Sequence, residues 1–229
     1  MSADVELALP FRDRWLVQNS PARRVPSHGT NLLGTRYAID FVGVDHRGRT
    51  ASVRDWRTVV ATEPPERYVG FGRQVLAPAG GVVAGVHDGE LDHRGRRSQL
   101  TLVPYLLRQG ARLRQGPPGL AGNHLIMELE QGGVFVLLAH LRAGSFRVGV
   151  GDVVQTGQVI AQCGNSGNST EPHVHLQAMD GPDATVARGV PMAFWNFREW
   201  SRGSDQAQLR AVGVPGERSI IEAVDAPVG

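Results

Sequence analysis

Between Gly157 and Gln177 the chain reads G-Q-V-I-A-Q-C-G-N-S-G-N-S-T-E-P-H-V-H-L-Q. An apolar strand runs into a turn of Gly, Asn and Ser, and a second strand carries His173 and His175. Side chains alternate faces along a strand, so residues two apart share a face. The two imidazoles are therefore expected to stand about 6–7 Å apart on one side, while Val174 and Leu176 point to the other. That spacing suits one histidine binding a metal and the other working beside it. Gly164, Asn165 and Gly167 are read as turn positions that permit positive φ. Ser169 and Thr170 are expected to bond the local backbone, and Pro172 to restrict the approach to His173.

The rest of the chain is written in the same style. Arg36–Val44 predicts a strand of high β propensity with Asp40 between Ile39 and Phe41. A carboxylate there needs a partner, because burying it alone is costly. Residues 75–86 predict two short strands about Gly80-Gly81. Residues 123–130 and 134–141, turned by Gln131-Gly-Gly133, predict a β-hairpin. Residues 147–161 continue in short strands. With 29 Gly and 14 Pro, about a fifth of the chain favours turns over long helices. The fold class expected is mostly β: an antiparallel sheet or sandwich domain with a metal-containing groove, loop insertions and a short C-terminal extension.

Three parts are expected along the chain. Residues 1–27 form an extended lead-in with a strand at Trp15-Leu16-Val17. Residues 28–185 form the main domain, with polar insertions at about 45–70 and 87–121; Ser98–Leu107 within the second is read as a strand or short helix. Residues 186–229 form a cover segment rich in aromatics (Trp195, Phe197, Trp200) and a mobile tail.

Composition excludes several classes. One cysteine, Cys163, rules out an internal disulfide framework and a Cys-rich zinc site, and it is read as a small buried residue. All 24 basic residues are Arg, for a net charge of +2. They are scattered, and the His93–Arg97 patch is read as a solvated loop, so no nucleic-acid partner is assigned. A mildly cationic surface suits an anionic polymer such as a cell wall. No stretch approaches a membrane span, and the start lacks the basic and apolar regions of a signal peptide. The compartment stays open between the cytoplasm and, if a signal has been removed, the cell envelope or exterior. The oligomeric state is open too.

Of eight histidines, His46, His87 and His93 fall in loops and are read as exposed and inert. His28, His124, His140, His173 and His175 lie in or beside apolar patterns. A hydrolytic zinc takes three protein ligands from His, Asp or Glu and keeps one position for water. His175, Asp40 and one earlier histidine supply such a set, with His28 the first choice and His124 its rival for a place in the site. His140 and His173 then remain as general base or stabilisers of the tetrahedral intermediate.

At these residues a resemblance emerges. Val148–Gln177 resembles the signature of the lysostaphin-like zinc endopeptidases that cut peptidoglycan peptides: V-x-x-G-D-x-V-x-x-G-Q-x-I, then G-N-S-G-x-S-T-x-P-H-x-H. Leu138–Leu141, Gly122-Asn123 and the Ala-Pro hairpin pattern in 75–83 also match. The resemblance implies one Zn²⁺ per chain with His175 a ligand, and His140 and His173 as catalytic histidines. The family takes its other two ligands from H-x-x-x-D; here His28 and Asp40 are twelve positions apart. The implied substrate is a peptidoglycan stem or cross-bridge peptide, its bond cut by metal-activated water.

Two other classes share some of these features. The Val148–Ile160 pattern also resembles biotinyl/lipoyl domains and the sugar phosphotransferase IIA domain, although a chain without lysine cannot carry a lysine-linked group. A phosphohistidine carrier has no need of Asp40. The remaining alternative is an inactive family member that regulates a cell-wall hydrolase.

Overall fold

The computed structural model describes residues 5–51, 62–95 and 116–224. Ser98–Leu107 lies outside them. The described chain is mostly β. Its strands are β1 (Val5–Leu7), β2 (Arg14–Gln18), β3 (Ile39–Gly43), β4 (Gln74–Leu76), β5 (Gly81–His87), β6 (Asn123–Leu129), β7 (Phe135–Leu141), β8 (Val153–Val154), β9 (Val159–Gln162), β10 (Val174–Met179), β11 (Gly189–Val190), β12 (Met192–Trp200), β13 (Gln208–Gly213) and β14 (Ile220–Ala223). One short helix, α1 (Gly116–Ala121), leads into β6. No helix among the described residues is long and apolar enough to cross a membrane.

Twelve strands make one sheet, ordered β1-β12-β14-β2-β3-β10-β7-β6-β5-β8, with β11 beside β10 and β13 beside β12. Every pairing in it is antiparallel except β1 with β12. The 123–141 hairpin forms as β6 and β7. Three expectations need correction. β4 and β5 do not pair across Gly80-Gly81: β4 joins β9 in a separate two-stranded sheet. β8 pairs with β5, so the 148–160 pattern is not a hairpin of two paired strands. Met192–Trp200 is the longest strand of the main sheet, and β14 from the expected tail lies between it and β2. A strand, unlike a cover segment, needs its backbone polar groups paired on both sides, and β12 finds β1, β13 and β14.

The two faces of the sheet differ. Ile39 and Phe41 of β3, Val174 and Leu176 of β10, and Val136 and Leu138 of β7 enter one buried cluster. The same cluster takes in Val75 of β4, Ile160 and Ala161 of β9, and Phe11. Phe11 stacks on Trp15 at 4.5 Å and meets Phe41 edge-on at 4.9 Å, which locks β2 to β3 through aromatic contact. The opposite face carries a smaller cluster around Leu137, Ala139, Met179 and Ala184. Period-two alternation therefore sends the apolar partners of Asp40 and His175 to the core and leaves the polar groups on the other side.

Candidate metal centre

The centre is set by strand register. β3 and β10 run antiparallel with Asp40 directly opposite His175, so both side chains rise on the same face. His175 Nδ1 lies 2.8 Å from Asp40 Oδ1. His28 arrives from the loop before β3. Ser27 N–H donates to the Arg36 carbonyl at 3.0 Å, closing that loop, and His28 Nε2 comes to 3.1 Å from Asp40 Oδ2. The rings of His28 and His175 meet edge-on at 4.9 Å. One donor atom from each of His28, Asp40 and His175 lies within 4.8 Å of the others.

His173 precedes β10 instead of lying within it, yet its Nε2 faces the same carboxylate, 3.9 Å from Asp40 Oδ1. Its Nδ1–H donates to the Glu171 carbonyl at 2.8 Å, with Ser169 Oγ at 3.0 Å. That makes Nδ1 a donor and turns Nε2 inward.

His140 reaches the centre by a different device. Along β7, Leu137 and Ala139 face the groove, so strict alternation would send His140 into the core beside Leu138. The β6 pairing steps from Leu125 opposite Leu138 to Asn123 opposite Leu141. Ala139 and His140 therefore face a single residue, a β-bulge, and His140 takes φ of 61°. The bulge turns its ring to the groove side, 4.5 Å from His173 centre to centre. Its Nδ1–H donates to the Ser166 carbonyl at 2.9 Å, again freeing Nε2. Burial, and then the neighbouring His173 and His175, hold its pKa well below the ordinary value, so the ring is neutral near pH 7.

The loop that carries these carbonyls is clamped by two glycines. Gly122 and Gly167 both take positive φ, 61° and 67°, and a Cβ on either would collide with the other's backbone region. Gly164 and Asn165 do not adopt positive φ. Gly164 is needed for space, since a Cβ there would strike the Arg142 backbone.

Charge at the centre is unbalanced without a cation. Gln177 Nε2 donates to the Leu33 carbonyl at 2.7 Å, which turns Oε1 toward His175 Nε2 at 2.9 Å. His175 then donates from Nε2, and a neutral ring would present the Nδ1 lone pair to the Asp40 carboxylate. Only a proton or a metal between them makes that contact attractive. The shifts agree. Burial opposes charge on His175, but Asp40 outweighs it and raises the pKa. Burial would push Asp40 upward, yet His28 and the His175 hydrogen bond hold it well below the carboxylate range. The donor set of two imidazoles and one carboxylate fits zinc.

Two of these residues were not anticipated from sequence. Gln177 had a signal, since it shares a strand face with His175. Asn19, which donates to Asp40 Oδ2 at 2.7 Å, had none. His124 lines the same cavity of about 820 Å³, but its Nδ1–H donates to the Gly122 carbonyl at 2.8 Å and its ring stacks on His87 at 5.4 Å. It is not among the converging donors. His46 is exposed, whereas His87 ends β5 and is half-buried, as is His93. The cavity's apolar wall comes from Leu120, Ala121, Ile126, Leu137 and Ala184. Of the two insertions, only Leu120 and Ala121 reach it among the described residues. Cys163 is buried, and burial pushes its thiol pKa far up, which makes it a poor nucleophile.

Residues 107–186 match the model of peptidase family M23. The M23 match includes His140, His173 and His175 and leaves His28 and Asp40 outside it, so the three-residue cluster combines matched and unmatched parts of the chain. No curated protein is a significant match. Similar solved structures include the catalytic domain of the antimicrobial peptidase lysostaphin from Staphylococcus simulans. It is 16% identical, with 78% of this chain and 88% of that one covered at a TM-score of 0.40. A prophage-encoded M23 protein from Enterococcus faecalis, solved as a mutant catalytic domain, is 19% identical over 65% of this chain and 85% of that one, at 0.36. A zinc-containing peptidase from Vibrio cholerae is 18% identical over 66% of this chain and 48% of that one, at 0.33.

Proposed function

We propose that this chain is a zinc-dependent endopeptidase acting on peptidoglycan stem or cross-bridge peptides, with His28, Asp40 and His175 as ligands and His140 and His173 as catalytic histidines. The observation that carries the reading is Asp40 held between His28 and His175, with two more imidazoles, anchored at Nδ1, lining the same cavity. The M23 match over the H-x-H segment supports it. A bound Zn²⁺ would supply Lewis acidity, lowering the pKa of water and polarising a peptide carbonyl.

The chain's own groups do the rest. His140 and His173 accept and return protons at Nε2, and once protonated each can donate to a developing oxyanion. The Ser166 and Glu171 carbonyls keep both rings in the productive tautomer. The apolar residues that line the cavity beside the histidines lower the local dielectric and strengthen each polar contact. The absence of a β8–β9 hairpin weighs against a carrier domain.

The test is metal analysis of the purified protein, followed by digestion of peptidoglycan fragments with mass-spectrometric identification of products. About one zinc per chain and new peptide termini are expected. Metal-replete protein that leaves every fragment intact would refute the enzymatic reading.

A further inference from the structure

The catalytic cavity has a neighbour. A second concavity of about 560 Å³ is lined by Leu16, Gln18, Asn19, Arg23, Arg202, Glu217 and Arg218. Gln18 and Asn19 line both hollows, so the two meet at the end of β2. Those residues are fixed at the boundary: Asn19 bonds Asp40, and Gln18 Nε2 reaches Glu171 Oε1 at 3.5 Å. The second hollow is thus the adjoining concavity on the Asn19 side of Asp40.

That hollow is cationic. Three guanidinium groups face one carboxylate, and Glu217 is already engaged by Arg23 at 3.6 Å and by Ser20 N–H at 2.8 Å. No carboxylate pairs with Arg202 or Arg218 among the described residues. Arg202 and Arg218 are both exposed, and the Arg218 backbone takes φ of 64° and donates to the Val17 carbonyl at 2.9 Å. Both guanidinium groups are thus open to an incoming anion beside the cavity. Guanidinium groups pair with carboxylates through two parallel hydrogen bonds. Of the catalytic cavity's apolar residues, Ile126 and Leu137 lie on β6 and β7, on the far side of β10 from β2.

We infer that Arg218 and Arg202 form a subsite for a carboxylate of the peptide substrate, on the Asn19 side of the metal centre. The inference rests on the peptidase reading and adds to it the charge and direction of the substrate. The cleaved peptide then carries a free carboxylate on this side and a small or apolar side chain against Ile126, Leu137 and Ala184.

The probe is a peptidoglycan stem tetrapeptide with its carboxylates free, compared with the same peptide amidated. Binding is measured first, by fluorescence anisotropy on the His173→Ala protein, where turnover does not interfere. The acid form binds more tightly than the amide by about tenfold, and the Arg202→Ala/Arg218→Ala pair, placed in that background, abolishes the difference. In the active protein the same pair raises KM for the acid form with kcat unchanged. Equal affinity for acid and amide, an equal loss of both in the double variant, or no binding of either form overturns the subsite. If the acid form is preferred through these arginines but no variant or parent hydrolyses it, the subsite stands and the peptidase reading falls.

Discussion

Asp40 and His175, 135 positions apart in the chain, are direct cross-strand partners, with Oδ1 and Nδ1 2.8 Å apart. This pair ties the strand ladder to the candidate metal centre, because a one-residue slip of β3 against β10 would send Asp40 into the core and away from His175. Replacing His175 by Ala is expected to abolish zinc binding while the sheet persists. Zinc content falls from about one per chain to near zero, and chelation no longer lowers the unfolding midpoint as it does in the parent. Retained stoichiometric zinc in the variant would show that the ligand set is different.

His173→Ala should separate binding from chemistry. The ring's Nε2 faces Asp40 at 3.9 Å, outside the three-residue cluster, so zinc content is expected to stay at the parent level. kcat is expected to fall by about 10²–10⁴-fold, the usual loss when a general acid–base group is removed. Full activity on a cleavable peptide would reassign the role.

His140 offers a test of the bulge. Its φ of 61° costs a β-branched residue more than Asn, which tolerates the left-handed region. His140→Asn is expected to abolish hydrolysis with an unfolding midpoint within about 5 °C of the parent. His140→Val is expected to lose activity and also about 2 kcal/mol of stability, since it adds backbone strain to the lost ring. Equal midpoints for the two variants would argue against a strained bulge.

Asp92 offers a test of pH dependence away from the candidate metal centre. It accepts the Asn165 N–H at 2.6 Å and the Ala143 N–H at 3.3 Å, holding the loop that leads to His173. Burial nevertheless dominates and raises its pKa above the ordinary carboxylate value. A raised pKa means the folded state binds the proton more tightly than the unfolded chain. Its contribution is therefore favourable below the unfolded value and declines as pH rises toward the folded one. Denaturant titrations of Asp92→Asn across that window should show a flatter stability profile than the parent. A parent profile as flat as the variant's would remove Asp92 as a titrating group.

Much of this was written in local pattern. The β6–β7 hairpin follows from alternation on either side of Gly132-Gly133, and β10 follows from the apolar run around His175, although His173 falls just before it. The M23-like segment is local for the same reason, since its glycines and prolines act on their own backbone. Cys163, expected to be a small buried residue, is buried. The pairing of β4 with β9 was not, nor was the capture of β12 and β14 by the main sheet. A strand's sequence states which residues share a face and does not name its neighbour, because backbone hydrogen bonds are the same for every partner.

Residue types and their period thus determined that the chain is β-rich and that Asp40 and His175 are out of place in apolar strands. Tertiary structure decided the convergence: that β3 lies beside β10 in the register that faces Asp40 with His175, that a bulge turns His140 out of the core, and that Asn19 and Gln177 orient the centre. The reason is the range of the forces involved. Propensity and alternation act over a few residues, whereas the balance of charge around one carboxylate depends on groups brought together from across the whole chain.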